Sequence, residues 1–219
     1  MNVYYWKIAG IRQMDLQPWT GIISEERLRR AKRFHQEKDR IRCLCAEILL
    51  RYGLAQAGVQ KQDIRFRYQQ SGKPFLEGNH LPYFSISHSG DYVMCAIASE
   101  EIGADVEQCT DIHFGLAKSV MTSAEYAHYL NLRPNMQNQY FFTVWTCKES
   151  VVKCIGTGLQ TPFPSIEIVT AGKKTQAVKD GKEIYHLWRI PLGGAYCSAV
   201  CMKHEKSVPK VIFVDTEQL

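Results

Sequence analysis

Ile102-Gly103-Ala104-Asp105-Val106-Glu107 alternates cleanly between apolar and acidic residues. Such a period of two predicts a strand with Ile102, Ala104 and Val106 on one face and Asp105 and Glu107 on the other. Acids are depleted in strands, so two carboxylates aimed at one point are either a solvated strand end or a ligand pair. About forty residues on, the chain reads Trp145-Thr146-Cys147-Lys148-Glu149-Ser150-Val151-Val152-Lys153. Phe141, Trp145, Lys148, Val152 and Ile155 follow helical spacing and form a stripe that faces a core. Lys148 lies within that stripe, so its stem is expected along the core with its ammonium delivered to an edge. Glu149 and Lys153 are four apart on the adjoining face, a spacing that also suits a simple surface pair. Taken together, two acids on a strand, a third on a helix and two lysines beside it describe a magnesium–polyphosphate site. Magnesium takes oxygen ligands and shares its shell with water and substrate phosphates.

The 219 residues suffice for one large domain or two small halves with a full core. At 45% hydrophobic and 22% charged, the composition excludes a disordered chain. No apolar run approaches the roughly 20 residues of a membrane span. Met1-Asn2-Val3-Tyr4-Tyr5-Trp6-Lys7 lacks the charged-then-apolar order of a signal peptide, and a cytoplasmic protein is expected. The eight cysteines contain no Cys-x-x-Cys pair, which argues against structural zinc and for buried free thiols.

The net charge of +5 is concentrated. Between Ser24 and Arg42, eight Lys/Arg face four acids, an excess of +4. Such a patch is either a solvated face or a seat for phosphates or an acidic partner. No recognised DNA-binding motif accompanies it. Ser24 is a credible N-cap, with Glu25 and Glu26 in the first turn. A second helical stripe, Ile41 to Tyr52, is expected to stop at Gly53. Thr122 and Glu125 form a capping box, and Gly156-Thr157-Gly158 ends the long helix.

Strands are expected at residues 3–8, 64–68, 84–87, 92–98, 163–170, 184–190, 196–201 and 211–214. The segment Phe84-Ser85-Ile86-Ser87, the turn Ser89-Gly90-Asp91 and the strand from Tyr92 read as a hairpin with His88 at its tip. Ser87, His88 and Asp91 do not make a hydrolase triad, since Gly-x-Ser-x-Gly is missing and neighbours in one turn rarely form that geometry. Gly72-Lys73-Pro74 is a turn and not a phosphate-binding P-loop. Tyr92-Val93-Met94-Cys95-Ala96-Ile97 echoes Tyr196-Cys197-Ser198-Ala199-Val200, about half a chain apart. The expected fold is therefore α/β (α+β), with two similar halves, residues 1–104 and 105–219, in pseudo-twofold relation. Each half is expected to be a small antiparallel sheet packed on a long helix.

In order along the chain, Gly72-Lys73-Pro74, Phe84-Ser85-Ile86-Ser87-His88-Ser89, Ile102 to Glu107 and Trp145 to Lys153 resemble the motifs of the 4′-phosphopantetheinyl transferases. The length and the start Ile23-Ser24-Glu25-Glu26 look like the longer monomeric kind that activates peptide and polyketide synthetases. The resemblance covers residues 3 to 200. It implies transfer of phosphopantetheine from coenzyme A to a serine of an acidic carrier protein, with release of 3′,5′-ADP. By this likeness Asp105, Glu107 and Glu149 hold Mg2+, and Lys153 contacts the pyrophosphate. Lys73 and Pro74 border the adenine. Ser87, His88, Arg27, Arg30 and Arg42 surround the phosphates, with Lys148 adding charge nearby. Glu149, directly or through a metal-bound water, is the candidate base, with Lys153 and His88 beside it in catalysis. Arginines stand where the family often has lysines, which alters hydrogen-bond geometry but not charge. Met121 replaces the family's Phe at the next helix start. Three other readings stand beside this one: another magnesium-dependent phosphotransferase, a non-catalytic coenzyme A or carrier-binding module, and a DNA binder.

Overall fold

The computed structural model describes residues 1–112, 115–172, 174–204 and 207–219. Along the chain run β1 (Asn2–Lys7), α1 (Glu25–Lys32), α2 (Glu37–Gln56), β2 (Phe66–Tyr68), β3 (Pro74–Leu76), β4 (Tyr83–Ser89), β5 (Tyr92–Ala98) and β6 (Ile102–Gln108). Then follow α3 (Leu116–Val120), α4 (Ser123–Asn131), α5 (Pro134–Ile155), β7 (Ile166–Ala171), β8 (Lys174–Lys179), β9 (Glu183–Arg189), β10 (Tyr196–Met202) and β11 (Lys210–Val214). No helix among the described residues is long and apolar enough to cross a membrane.

Two sheets carry the fold, ordered β11-β1-β5-β4 and β6-β10-β9-β8-β7. In the first, β5 is antiparallel to both β1 and β4; in the second, β10 is antiparallel to both β6 and β9. β1-β5-β4 and β6-β10-β9 are thus one motif used twice, with α2 and α5 as the equivalent long helices. The echo between Tyr92 and Tyr196 marks this repeat, and the two rings meet edge-on at 4.9 Å.

The layers run α2, first sheet, second sheet, α5. Tyr4, Trp6, Val93 and Cys95 pack under Ile48 and Leu49 of α2. From the opposite faces of the same strands, Val3, Tyr5, Met94 and Ala96 meet Ile102, Ala104, Val106 and Val200 of the second sheet. Cys147 and Val151 of α5 cover Ala199, Cys201 and Leu187. The alternation in β6 is therefore as expected: its apolar face is buried between the sheets, and its acidic face turns toward α5.

Three expectations change. The boundary between 104 and 105 falls inside β6, which belongs wholly to the second sheet. The first half is not purely antiparallel, because β11 returns from the end of the chain to lie parallel to β1. α2 does not stop at Gly53 but runs through it to Gln56. A Cβ there would stand 2.8 Å from Ile97 Cδ1 and 3.1 Å from the Tyr4 ring, so this glycine serves close helix–sheet packing.

Gly103 does the same at the functional end. A Cβ at Gly103 would lie 1.8 Å from the Ser150 carbonyl oxygen and 2.4 Å from the Cys154 nitrogen. Both obstacles are backbone, so no rotamer change relieves them. The missing side chain lets α5 lie directly on β6, one turn from the acidic residues of both. Gly103→Ala should cost about 3 kcal/mol or more, the upper end of overpacking effects. A urea midpoint unchanged from wild type would show that α5 does not need this contact.

Candidate active site

All of the expected site residues except Arg42 and Lys148 line one cleft of about 490 Å³ at the junction of the two halves. One wall comes from α1 and β4, a second from the β2–β3 hairpin, and the floor from β6 and α5. A row of serines holds β4 against β6. Ser85 Oγ accepts from the Ala104 N–H (2.9 Å), Ser87 Oγ donates to Asp105 Oδ1 (2.7 Å), and Ser89 Oγ accepts from the Gln108 N–H (3.1 Å). Two sheet edges are thus stitched by side chains at every second residue. The alternation around Ser85 and Ser87 is legible in the sequence, but their partner strand is not.

Asp105 is buried, and Lys153 Nζ donates to its Oδ1 at 2.6 Å and to Ser87 Oγ at 3.0 Å. The other oxygen, Oδ2, is buried without a hydrogen-bond partner among the described residues. Leaving a carboxylate oxygen dry and unpaired is costly. Glu107 and Glu149 line the same cleft, both half-buried. Burial first, then the Asp105 charge, pushes the Glu107 carboxyl up to about 7, with Glu149 adding to it and the Ser89 hydroxyl and Lys153 opposing. Burial also raises Glu149, against the pull of Lys153. Burial disfavours the Lys153 ammonium, yet Asp105, Glu149 and Glu107 hold its pKa above the ordinary lysine value. Three carboxylates thus crowd around Lys153, and a hard cation with oxygen preference fits both the orphan oxygen and that crowding. Among the described residues, no trio of His, Cys, Asp or Glu side chains is gathered tightly enough to hold a metal ion by itself. The carboxylates share a cleft rather than a closed shell, as suits an ion that keeps waters and substrate oxygens.

The cationic wall divides by role. Arg27 is buried, with its Nε 3.5 Å from Glu47 Oε2. Glu47 also takes Arg51 (2.7 Å) and both the N–H and hydroxyl of Ser24 (2.8 and 2.7 Å). This buried acid, unnoticed inside the apolar stripe of α2, fastens the start of α1 and aims Arg27. Arg30, one turn on, is exposed and forms no ion pair among the described residues. Arg42 is displaced from the expected set: it bonds the Gly90 carbonyl (2.8 Å) and Asp39, and lines a neighbouring hollow beyond the β4–β5 turn.

His88 is not at the tip of the hairpin but within β4, paired with Val93. Burial, then the charges of Lys153, Arg42 and Arg27, depress its pKa to about 4, so the imidazole is neutral near pH 7. Lys73 reaches across the cleft to Glu101 and to the Cys154 carbonyl (3.0 Å), tying the β2–β3 hairpin to the end of α5. Trp145 packs on Phe141 in the stripe as expected and also lines the cleft, with its ring edge-on to Phe163.

Lys148 requires the largest correction. Its ammonium is not at the rim but fully buried on the far side of α5, donating to Glu125 Oε2 (2.6 Å), the Val120 carbonyl (2.9 Å) and the Phe163 carbonyl (3.2 Å). Glu125 caps α4 through the Thr122 N–H (2.8 Å) and accepts from the Ile168 N–H (2.9 Å). This network joins α3, α4, α5 and β7. It lies away from the cleft, and Lys148 contributes no charge there.

The family model for the 4′-phosphopantetheinyl transferase superfamily matches residues 101–201, and the model for the 4′-phosphopantetheinyl transferase N-terminal region matches residues 12–101. The 4′-phosphopantetheinyl transferase Sfp of Bacillus subtilis (strain 168) is 31% identical over 222 residues, covering 97% of this chain and 99% of that protein. This chain belongs to the 4′-phosphopantetheinyl transferases. The 4′-phosphopantetheinyl transferases ffp of Bacillus subtilis and gsp of Aneurinibacillus migulanus are 35% and 33% identical. Each match covers 74% of this transferase, with 75% of the first relative and 68% of the second. The two family models meet at residue 101, the connection between β5 and β6, where the two repeats of the transferase also meet.

Proposed function

We propose that the transferase moves 4′-phosphopantetheine from coenzyme A to a serine of an apo carrier protein, in the cleft between its halves. The observation that carries the site assignment is the buried, unpartnered Asp105 Oδ2 beside Lys153, Glu107 and Glu149. Lys73 and Pro74 border the adenine. Arg30 and neutral His88 meet the 3′-phosphate, with Arg27 held behind them by Glu47. Asp105, Glu107 and Glu149 would hold Mg2+, which would supply positive charge to the pyrophosphate.

Glu149, directly or through a water, takes the proton of the carrier serine. The serine oxygen then bonds to the phosphorus that bears pantetheine, and the bond to the bridging oxygen breaks. Lys153 stays charged and stabilises the 3′,5′-ADP phosphate as it leaves. The exposed Arg29, Lys32 and Arg33 of α1 and its C-cap suit an acidic carrier surface. Chemistry confined to one chain's cleft suits a monomer.

The reading is tested by following 3′,5′-ADP release from coenzyme A. Release should require apo carrier and cease when the carrier's acceptor serine is alanine. Steady release without any carrier would assign the cleft to a different phosphotransfer.

The unpaired Arg30 gives a sharper expectation. Arg30→Ala should weaken coenzyme A by ten- to a hundredfold, the worth of a charge-assisted contact of roughly 1.5–3 kcal/mol. Dephospho-coenzyme A, which lacks the 3′-phosphate, should lose almost nothing. Equal losses for both ligands in a calorimetric titration would place Arg30 against the carrier instead.

A further inference from the structure

Outside the cleft, Cys109 and Cys197 bring their sulfurs to 3.5 Å as free thiols. Cys197 sits in β10 as the ladder partner of Glu107. Cys109 follows the last residue of β6, and its N–H continues the ladder to the Ala195 carbonyl. The two are therefore diagonal neighbours on adjacent antiparallel strands, within reach of one another but not directly opposed. Cys109 is half-exposed, and Cys197 borders a hollow of about 260 Å³ shared with Gln139, Thr143 and Arg189. The Gln139 side-chain amide donates to the Cys197 sulfur at 3.0 Å, and the Thr143 hydroxyl lies 3.5 Å from it. Donors and a cation around one sulfur, with a second thiol in contact, describe an attacking and a resolving cysteine. A second thiol contact, between Cys154 and Cys201, is sealed in the core beneath α5 and offers an internal comparison.

We infer that Cys109 and Cys197 form a reversible disulfide in response to a hydroperoxide, and that this bond acts as a redox switch on the adjacent cleft. Cys197 sulfur attacks the peroxide: an S–O bond forms, the O–O bond breaks, and the departing oxygen takes a proton and leaves as alcohol or water. The Cys109 sulfur then attacks the sulfenic sulfur of Cys197. The S–S bond forms, the S–O bond breaks, and hydroxide leaves with the Cys109 proton as water. Two thiols are oxidised and one peroxide is reduced. Closing the sulfurs from contact to a bond of about 2 Å draws Cys109 inward by more than an ångström. Glu107 lies two residues back on the same strand, and displacements of this size at a reacting centre can cost on the order of a hundredfold in rate. The effect on rate rests on the transferase reading of the cleft; the bond itself does not.

The test exposes the full-length protein to hydrogen peroxide and maps it by non-reducing peptide mass spectrometry. A 109–197 link with loss of two hydrogens is expected, reversed by dithiothreitol, while Cys154 and Cys201 stay unlinked. In Cys109→Ser, Cys197 should instead be captured as a sulfenic acid by dimedone. Transfer by the linked protein should fall at least tenfold and recover on reduction, and Cys197→Ser should keep its rate under peroxide. Cys109 and Cys197 remaining unlinked after treatment, or a preferred 154–201 link, would overturn the disulfide. A linked protein with an unaltered rate would overturn the switch. If the reduced protein itself does not transfer, the reading of the cleft fails while the peptide map still decides the linkage.

Discussion

Asp105→Ala lowers transfer by about two to three orders of magnitude or more, in line with removal of a preorganised charge at a reacting phosphate, while the melting temperature stays close to wild type. The asymmetry follows from what Asp105 touches. It spends one oxygen on Lys153 and Ser87 and leaves the other buried and unpaired. Deleting the side chain removes an unfavourable orphan together with a favourable ion pair. The released Lys153 is 30% exposed along its side chain and can turn to water. Glu149→Gln keeps shape and packing but loses both the charge and the base, so it should match the loss without unfolding. Transfer rates and thermal melts on the two variants check this. Near-normal turnover in either, or full activity in excess chelator, would remove the carboxylates from the chemistry.

Lys148→Met unfolds the protein far more readily than it disables the cleft. Methionine keeps much of the apolar stem, so a lysine at the rim would be replaced with little loss of stability. Here the ammonium is the one cationic partner of buried Glu125 among the described residues and serves two carbonyls as well. Burial already pulls the Lys148 pKa down, with Glu125 opposing. Breaking a buried pair by removing one member costs about 3–5 kcal/mol, because the other charge is left stranded. Combining Lys148→Met with Glu125→Gln should recover much of that loss, and the double variant should transfer phosphopantetheine at close to the wild-type rate once folded. A stable Lys148→Met protein that no longer transfers would return Lys148 to the cleft.

Much of this architecture is legible in the residues, for reasons that differ by element. The alternation in β6 survives because one face is buried between sheets and the other is held against α5, so each residue's polarity reports its side. The capping box at Thr122 and Glu125 is local chemistry and forms as read. The repeat of β5 in β10 is visible because equivalent strands face the same interface. The errors come from partners far away in sequence. Gly53 looks like a helix stop, but a close approach to Tyr4 and Ile97 keeps it inside α2. Lys148 lies in the stripe as expected, yet its direction depends on Glu125, Val120 and Phe163, none of which its own helix specifies. His88 stands beside a turn but belongs to β4. Glu47 passes for one acid in an apolar helix until Ser24, Arg27 and Arg51 close around it. The return of β11 to β1 leaves no local sign at all.

Loading of carrier proteins with phosphopantetheine in the cleft between the halves, through Asp105, Glu107 and Glu149, is open to one decisive measurement. Intact-mass spectrometry of an apo carrier protein incubated with the transferase, coenzyme A and magnesium tests it most directly. A carrier heavier by one phosphopantetheinyl group, located on a single serine, is expected, with no gain in chelator or with Asp105→Ala. An apo carrier of unchanged mass after prolonged incubation with wild-type protein, or a full gain with the Asp105 variant, would contradict it.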